Sequence, residues 1–107
     1  MSEGKRAWTY ARVLNNQAEE LLEYQMNKCV DYIQSMNWLW LGSSHDICDG
    51  YSLNQPGIQR MLSSITNEYV DVIVAYSPLR ILVPEDLYEE FEMLCNMHHV
   101  QIITLKK

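Results

Sequence analysis

The sequence predicts an α/β fold, a three-layer α/β/α sandwich built on a mostly parallel sheet of four to five strands. Two observations carry that expectation. Apolar, β-branched runs alternate along the chain with longer stretches whose apolar residues recur every three or four positions. That alternation builds parallel sheets with helices on both faces. One of the short runs, "YVDVIVAY" at 69–76, is apolar almost throughout and reads as a central strand covered on both sides. With 107 residues, 48% of them hydrophobic and 21% charged, the chain is expected to form one domain, 1–107, with a modest core.

The elements follow in order. "AWTYARV" at 7–13 mixes aromatic and β-branched residues and predicts the first strand. A polar step follows, in which Asn15 or Asn16 is suited to cap the helix read from "QAEELLEYQMNKCVDYIQSM" at 17–36. Its early glutamates suit the positive end of the helix dipole, and its packing face is expected to be Leu22, Met26, Cys29 and Ile33. "WLWLGSS" at 38–44 predicts a second strand, and "HDICDGYSLNQPG" at 45–57 a loop. Pro56 fits the first turn of a helix running through Met61, Leu62 and Ile65, with Asn54 as candidate cap. After the strand at 69–76 and the break at 77–84, "EDLYEEFEMLCNM" reads as helix and "VQIITL" at 100–105 as a last strand. The strands at 7–13 and 69–76 are expected to be central neighbours. Ligands of such sheets collect at the C-terminal strand ends, here 13–17, 43–50 and 76–83.

Composition narrows the function classes. Eight Lys and Arg against fourteen Asp and Glu give a net charge of −6, and no basic residue lies between Lys28 and Arg60. Affinity for a phosphate backbone scales with the cations that neutralise it, so weak or no direct DNA binding is expected of this chain alone. Cys29, Cys48 and Cys95 form no CxxC pair, and His45 with Asp46 has no third ligand at a useful spacing. Reduced thiols, no metal and no cofactor are the expectation. Neither GxGxxG nor GxxxxGK[ST] occurs. No run is long and apolar enough to span a membrane, and no apolar segment follows "MSEGKR", so the expected location is cytoplasmic.

Three segments carry a resemblance: "YARV" with its polar turn and "LLEYQMNKCVDYI"; "DICDGYSLNQPGIQRML"; and "YVDVIVAYSPLRIL". In order and spacing they resemble the N-terminal catalytic domain of serine recombinases, the resolvase–invertase family, over about residues 6–105. The resemblance implies a resolvase-like sheet and, in the family, strand exchange through a phosphoserine formed by the serine that follows "RV". That position is Leu14 here. Arg12 matches the arginine two residues earlier. Asp49-Gly50 stands for the family's "SG", and Asp46 matches a carboxylate common just before it. Gln55 replaces the arginine of "RPG". In the family's "DRxxR", Leu79 replaces the aspartate, Arg80 retains the first arginine and Val83 replaces the second.

Attack on a phosphodiester needs a nucleophile and cations aimed at the oxygens where charge develops. Glutamine donates a hydrogen bond without charge, and leucine and valine supply neither. The resemblance therefore implies a degenerate, catalytically inactive domain engaged in protein–protein contact or regulation around site-specific recombination or a mobile element. Its partner is expected to be a weakly bound second copy or a related recombinase. No C-terminal dimerisation helix or DNA-binding domain is expected within 1–107, so the helix at 84–97 and exposed aromatics are the anticipated contact material. An alternative keeps Arg12 and Arg80 for binding a small anion or nucleotide phosphate. In either case Arg12 is free to hold an anion or to pair with Asp46 or Asp49, which as loop carboxylates more often cap turns.

Overall fold

The computed structural model describes residues 4–106. The elements are β1 (Arg6–Val13), a 3-10 turn (Asn16–Ala18), α1 (Glu19–Ser35), β2 (Leu39–Ile47), α2 (Pro56–Thr66), β3 (Val72–Ala75), a 3-10 turn (Pro78–Arg80), α3 (Glu85–Met97) and β4 (Gln101–Thr104). The four strands lie in the order β2-β1-β3-β4, and every neighbouring pair is parallel. β1 and β3 are central neighbours, as the sequence predicts. The fold is the three-layer α/β/α sandwich.

Alternation along β1 divides the core. Ala7 faces α1, packing with Cys29, Ile33, Val72 and Val74. Tyr10 faces the other layer, where Ile58, Met61 and Ile65 of α2 and Phe91 and Cys95 of α3 close over Ile73 and Ala75. Of the four residues expected to form the packing face of α1, Cys29 and Ile33 are fully buried. Leu22 and Met26 are half-buried, and the third buried residue of α1 is Gln25.

Each long helix ends in the same way. Asn37, Glu68 and His99 take left-handed φ of 58°, 60° and 59°. Trp38, Tyr69 and Val100 then donate back to the carbonyls of Ile33, Ser64 and Cys95. This closes the helix C-terminus and turns the chain toward the next strand. No glycine marks these ends, so composition alone does not reveal them.

Two boundaries differ from expectation. β2 runs on to Ile47, because its register with β1 continues through Ala11–His45, Arg12–Asp46 and Val13–Ile47. Asp46 is therefore a strand residue, whereas Asp49 is in the loop. Asn54 does not cap α2. The N-cap position is Gln55, and the N–H groups of Gly57 and Ile58 are instead taken by Asp46. Asn15 does cap, accepting from the Gln17 N–H at the 3-10 turn.

Candidate functional site at the strand ends

The C-terminal ends of β1 and β3 and the turn after β3 meet where the fold class leads one to look. Arg12 points to the α2–α3 side of β1 and is buried. Its Nη1 donates to the Cys48 carbonyl at 2.8 Å and its Nη2 to the Leu79 carbonyl at 2.7 Å, tying the end of β2 to the turn after β3. Its Nε has no partner. Gly50, at φ 83°, lies over the guanidinium, so closely that a Cβ would stand 2.7 Å from Cζ and Nε. The sequence left a pairing with Asp46 or Asp49 open; among the described residues no carboxylate is within ion-pair range of Arg12.

The two carboxylates are occupied elsewhere. Asp46 is buried and accepts from the Tyr10 hydroxyl at 2.7 Å and from the N–H groups of Gly57 and Ile58 at 2.7 and 2.8 Å. Burial and that bond to Asp46 push the Tyr10 hydroxyl far above its ordinary pKa. Asp49 accepts from the Tyr51 N–H at 3.1 Å in a local turn. Both act as caps, Asp46 across 11 and 12 residues and Asp49 across 2.

Arg80 ends the 3-10 turn and reaches the Arg12 carbonyl only at 3.5 Å. Arg12, Tyr76, Ser77, Leu79, Arg80, Val83 and Lys106 line an open cavity of about 440 Å³. Three of its seven lining residues are cations, in a chain of net charge −6. The hydroxyls on its wall are Ser77 and Tyr76, and a hydrogen bond with Tyr24 raises the Tyr76 pKa. Val83 is half-buried and its N–H is bonded to the Gly50 carbonyl at 2.9 Å. Leu14 and Leu79 are exposed at 63% and 60%, while Gln55 is half-buried at the start of α2. The geometry thus brings together Arg12, Leu79, Arg80 and Val83. Leu14 and Gln55 are not part of the cavity wall.

Residue reading missed Gln25 and Lys106. Gln25 is buried in α1 and brackets the Arg12 backbone, its Oε1 accepting from the N–H at 3.3 Å and its Nε2 donating to the carbonyl at 3.0 Å. A glutamine at the apolar spacing of α1 was the available signal. Lys106 comes to the cavity because its N–H bonds to the Tyr76 carbonyl at 2.7 Å just past β4.

Solved structures similar to this chain include catalytic domains of a serine recombinase and of an integrase. The C-terminal catalytic domain of ISC1926 TnpA, an IS607-like serine recombinase, matches with a TM-score of 0.89 and 25% identity, over 94% of this chain and 67% of that one. The N-terminal catalytic domain of TP901-1 integrase matches with a TM-score of 0.84 and 19% identity, over 94% and 77%. The first open reading frame of transposon ISC1904 from Sulfolobus solfataricus P2 gives 0.80 and 23%, over 94% and 67%. The latter two likenesses concern the fold alone. No curated protein is significantly similar to the chain. The family model described as the resolvase N-terminal domain matches residues 7–107, nearly the whole sequence, and the chain belongs to that family.

Proposed function

We propose that this chain is a catalytically inactive member of the family, acting through protein–protein contact around site-specific recombination or a mobile element. The single observation that carries the reading is Leu14, an aliphatic side chain where the family's serine would follow "RV". Arg12 adds support, because two of its guanidinium nitrogens hold the carbonyls of Cys48 and Leu79. Gln55, Leu79 and Val83 leave a phosphate without the family's full set of charged contacts, and residues that act as a group fail non-additively. Restoring one of them does not restore the set.

The test is incubation of the protein and a Leu14→Ser variant with supercoiled plasmid carrying a recombination site of an active relative. Denatured products are searched for nicks and covalent adducts, and undenatured ones for sequence-specific complexes at micromolar protein and physiological salt. Neither protein is expected to give a nick or an adduct, and no specific complex is expected at net charge −6. An adduct from the native chain, abolished by changing Arg12, overturns the inactive reading. An adduct from Leu14→Ser alone overturns the claim that the rest of the site has decayed.

A second reading is favoured by one observation: a buried guanidinium with no ion-pairing carboxylate among the described residues, on a cavity shared with Arg80 and Lys106. On this reading the cavity holds a small anion or a nucleotide phosphate. An anion that binds only the folded chain raises its stability by mass action. Sulfate at fixed ionic strength should then raise the thermal midpoint of the native chain and leave that of Arg80→Gln unchanged. No difference between the two removes this reading.

A further inference from the structure

The cationic strand-end cavity has an apolar neighbour. Pro78, Leu79, Leu82, Val83, Glu85 and Tyr88 line a second cavity of about 200 Å³, between the 3-10 turn at Pro78–Arg80 and the start of α3. Leu79 and Val83 belong to both linings, so the two cavities adjoin across an aliphatic wall.

Charge is sorted across that wall. On one side stand Arg12, Arg80 and Lys106, and no carboxylate lines that cavity. Arg12 is 5% exposed and its Nε has no hydrogen-bond partner. A buried cation without a counter-ion is costly, and an entering anion offsets that cost. On the other side Glu85 is the one ionised group, since burial pushes the Tyr88 hydroxyl up to about 12 and leaves it neutral near pH 7.

We propose, on the anion-binding reading of the same cavity, that the two cavities together take the C-terminal residue of a partner polypeptide, its carboxylate against the cations and its apolar side chain beside Leu82 and Tyr88.

Size and spacing select that occupant. A volume of about 200 Å³ falls below the roughly 300–1,000 Å³ of sites that enclose drug-sized ligands, and suits one aliphatic or aromatic side chain. In a C-terminal residue the carboxylate and the side chain leave the same Cα, so a charged and an apolar subsite must adjoin without a spacer. These two do. A mononucleotide sets a ribose between phosphate and base, and buried ribose hydroxyls need polar partners. The shared wall offers none. Its side chains are leucine and valine, the Leu79 carbonyl already accepts from Arg12, and the Val83 N–H already donates to the Gly50 carbonyl. Glu85 on the far side repels a second anion, which disfavours an acidic last residue. Capture of a chain terminus is a protein–protein contact that requires neither a nucleophile nor DNA.

Titration calorimetry with an acetylated glycine–serine peptide ending in leucine tests this. The free-acid peptide should bind the native chain, and its C-terminal amide should bind roughly tenfold or more weakly, the share of one charge-assisted hydrogen bond. Aspartate in place of the last leucine should weaken binding similarly. Arg80→Gln should weaken the free acid and flatten its salt dependence, and Lys106→Gln serves if that variant does not fold. Leu79→Asn leaves the Arg12 bond to the Leu79 carbonyl in place, and should erase the preference for a last leucine over a last serine while sulfate still raises the thermal midpoint. If sulfate stabilises the native chain and the free-acid peptide does not bind, this proposal falls and the anion reading stands. If neither acts, both fall. Equal binding of acid and amide overturns the proposal, as does tighter binding of adenosine monophosphate than of the free-acid peptide.

Discussion

Asp46 takes three hydrogen bonds in the interior, from a tyrosine on β1 and from the first turn of α2. It fixes the helix start that Gln55 and Asn54 do not cap, and it does so from the neighbouring strand. Gly57 is part of the same arrangement. A Cβ there would stand 2.3 Å from the His45 carbonyl oxygen and 2.8 Å from the Asp46 Oδ2, so only glycine lets the helix approach this closely. Asp46→Ala would strand a buried hydroxyl and two helix N–H groups. The expected loss is about 3 kcal/mol from combined capping and desolvation, read as a lower denaturant midpoint with an unchanged slope. Tyr10→Phe leaves both N–H bonds in place and should cost clearly less. The sequence marked Asp46 as a carboxylate worth watching, by resemblance and by its loop-like context. Its role depends on partners 36, 11 and 12 residues away, which no local pattern encodes.

At the scale of elements, the open N-terminal ends of β1 and β3 are held together by a bidentate pair. Asp71 accepts from the Arg6 backbone N–H at 2.8 Å, from Nε at 3.0 Å and from Nη2 at 3.1 Å. The side-chain bond from Arg6 is the main cause that holds the Asp71 carboxyl below its ordinary value of 3.8. A carboxyl with a lowered pKa in the folded state contributes stability above its unfolded pKa and loses it as pH falls through the folded one. The native chain should therefore exceed Asp71→Asn in stability by a constant margin near neutral pH. That margin should shrink as pH falls from about 4, and shrink also with added salt because both side chains are partly exposed. Denaturant unfolding at stepped pH measures it, and a margin that holds through pH 2 contradicts the assignment. Element identity was legible from periodicity, since strands and helices alternate with the expected spacing. Element ends were less so. β2 runs three residues past the predicted 44 because pairing with β1 continues, and α1, α2 and α3 end on Asn37, Glu68 and His99 without a glycine to announce them.

Across the whole molecule, the charge is unevenly placed. Arg12, Arg80 and Lys106 converge on one cavity while α3 carries a row of carboxylates, a division that a net charge of −6 conceals. The sequence by itself determined the layer order, the central position of β1 and β3 and the membership in the resolvase family, because periodicity and motif spacing are local properties that survive without coordinates. It also determined which side chain follows "RV" at Leu14. Only the tertiary structure decided that Arg12 holds two backbone carbonyls rather than a carboxylate, that Asp46 caps α2 from a strand, that Gln25 brackets the Arg12 backbone, and that β2 is left with an open apolar edge. The reason is physical. A buried polar group takes whichever donor or acceptor the packed chain brings within about 3 Å, and segments far apart in sequence meet there only once the sheet has formed.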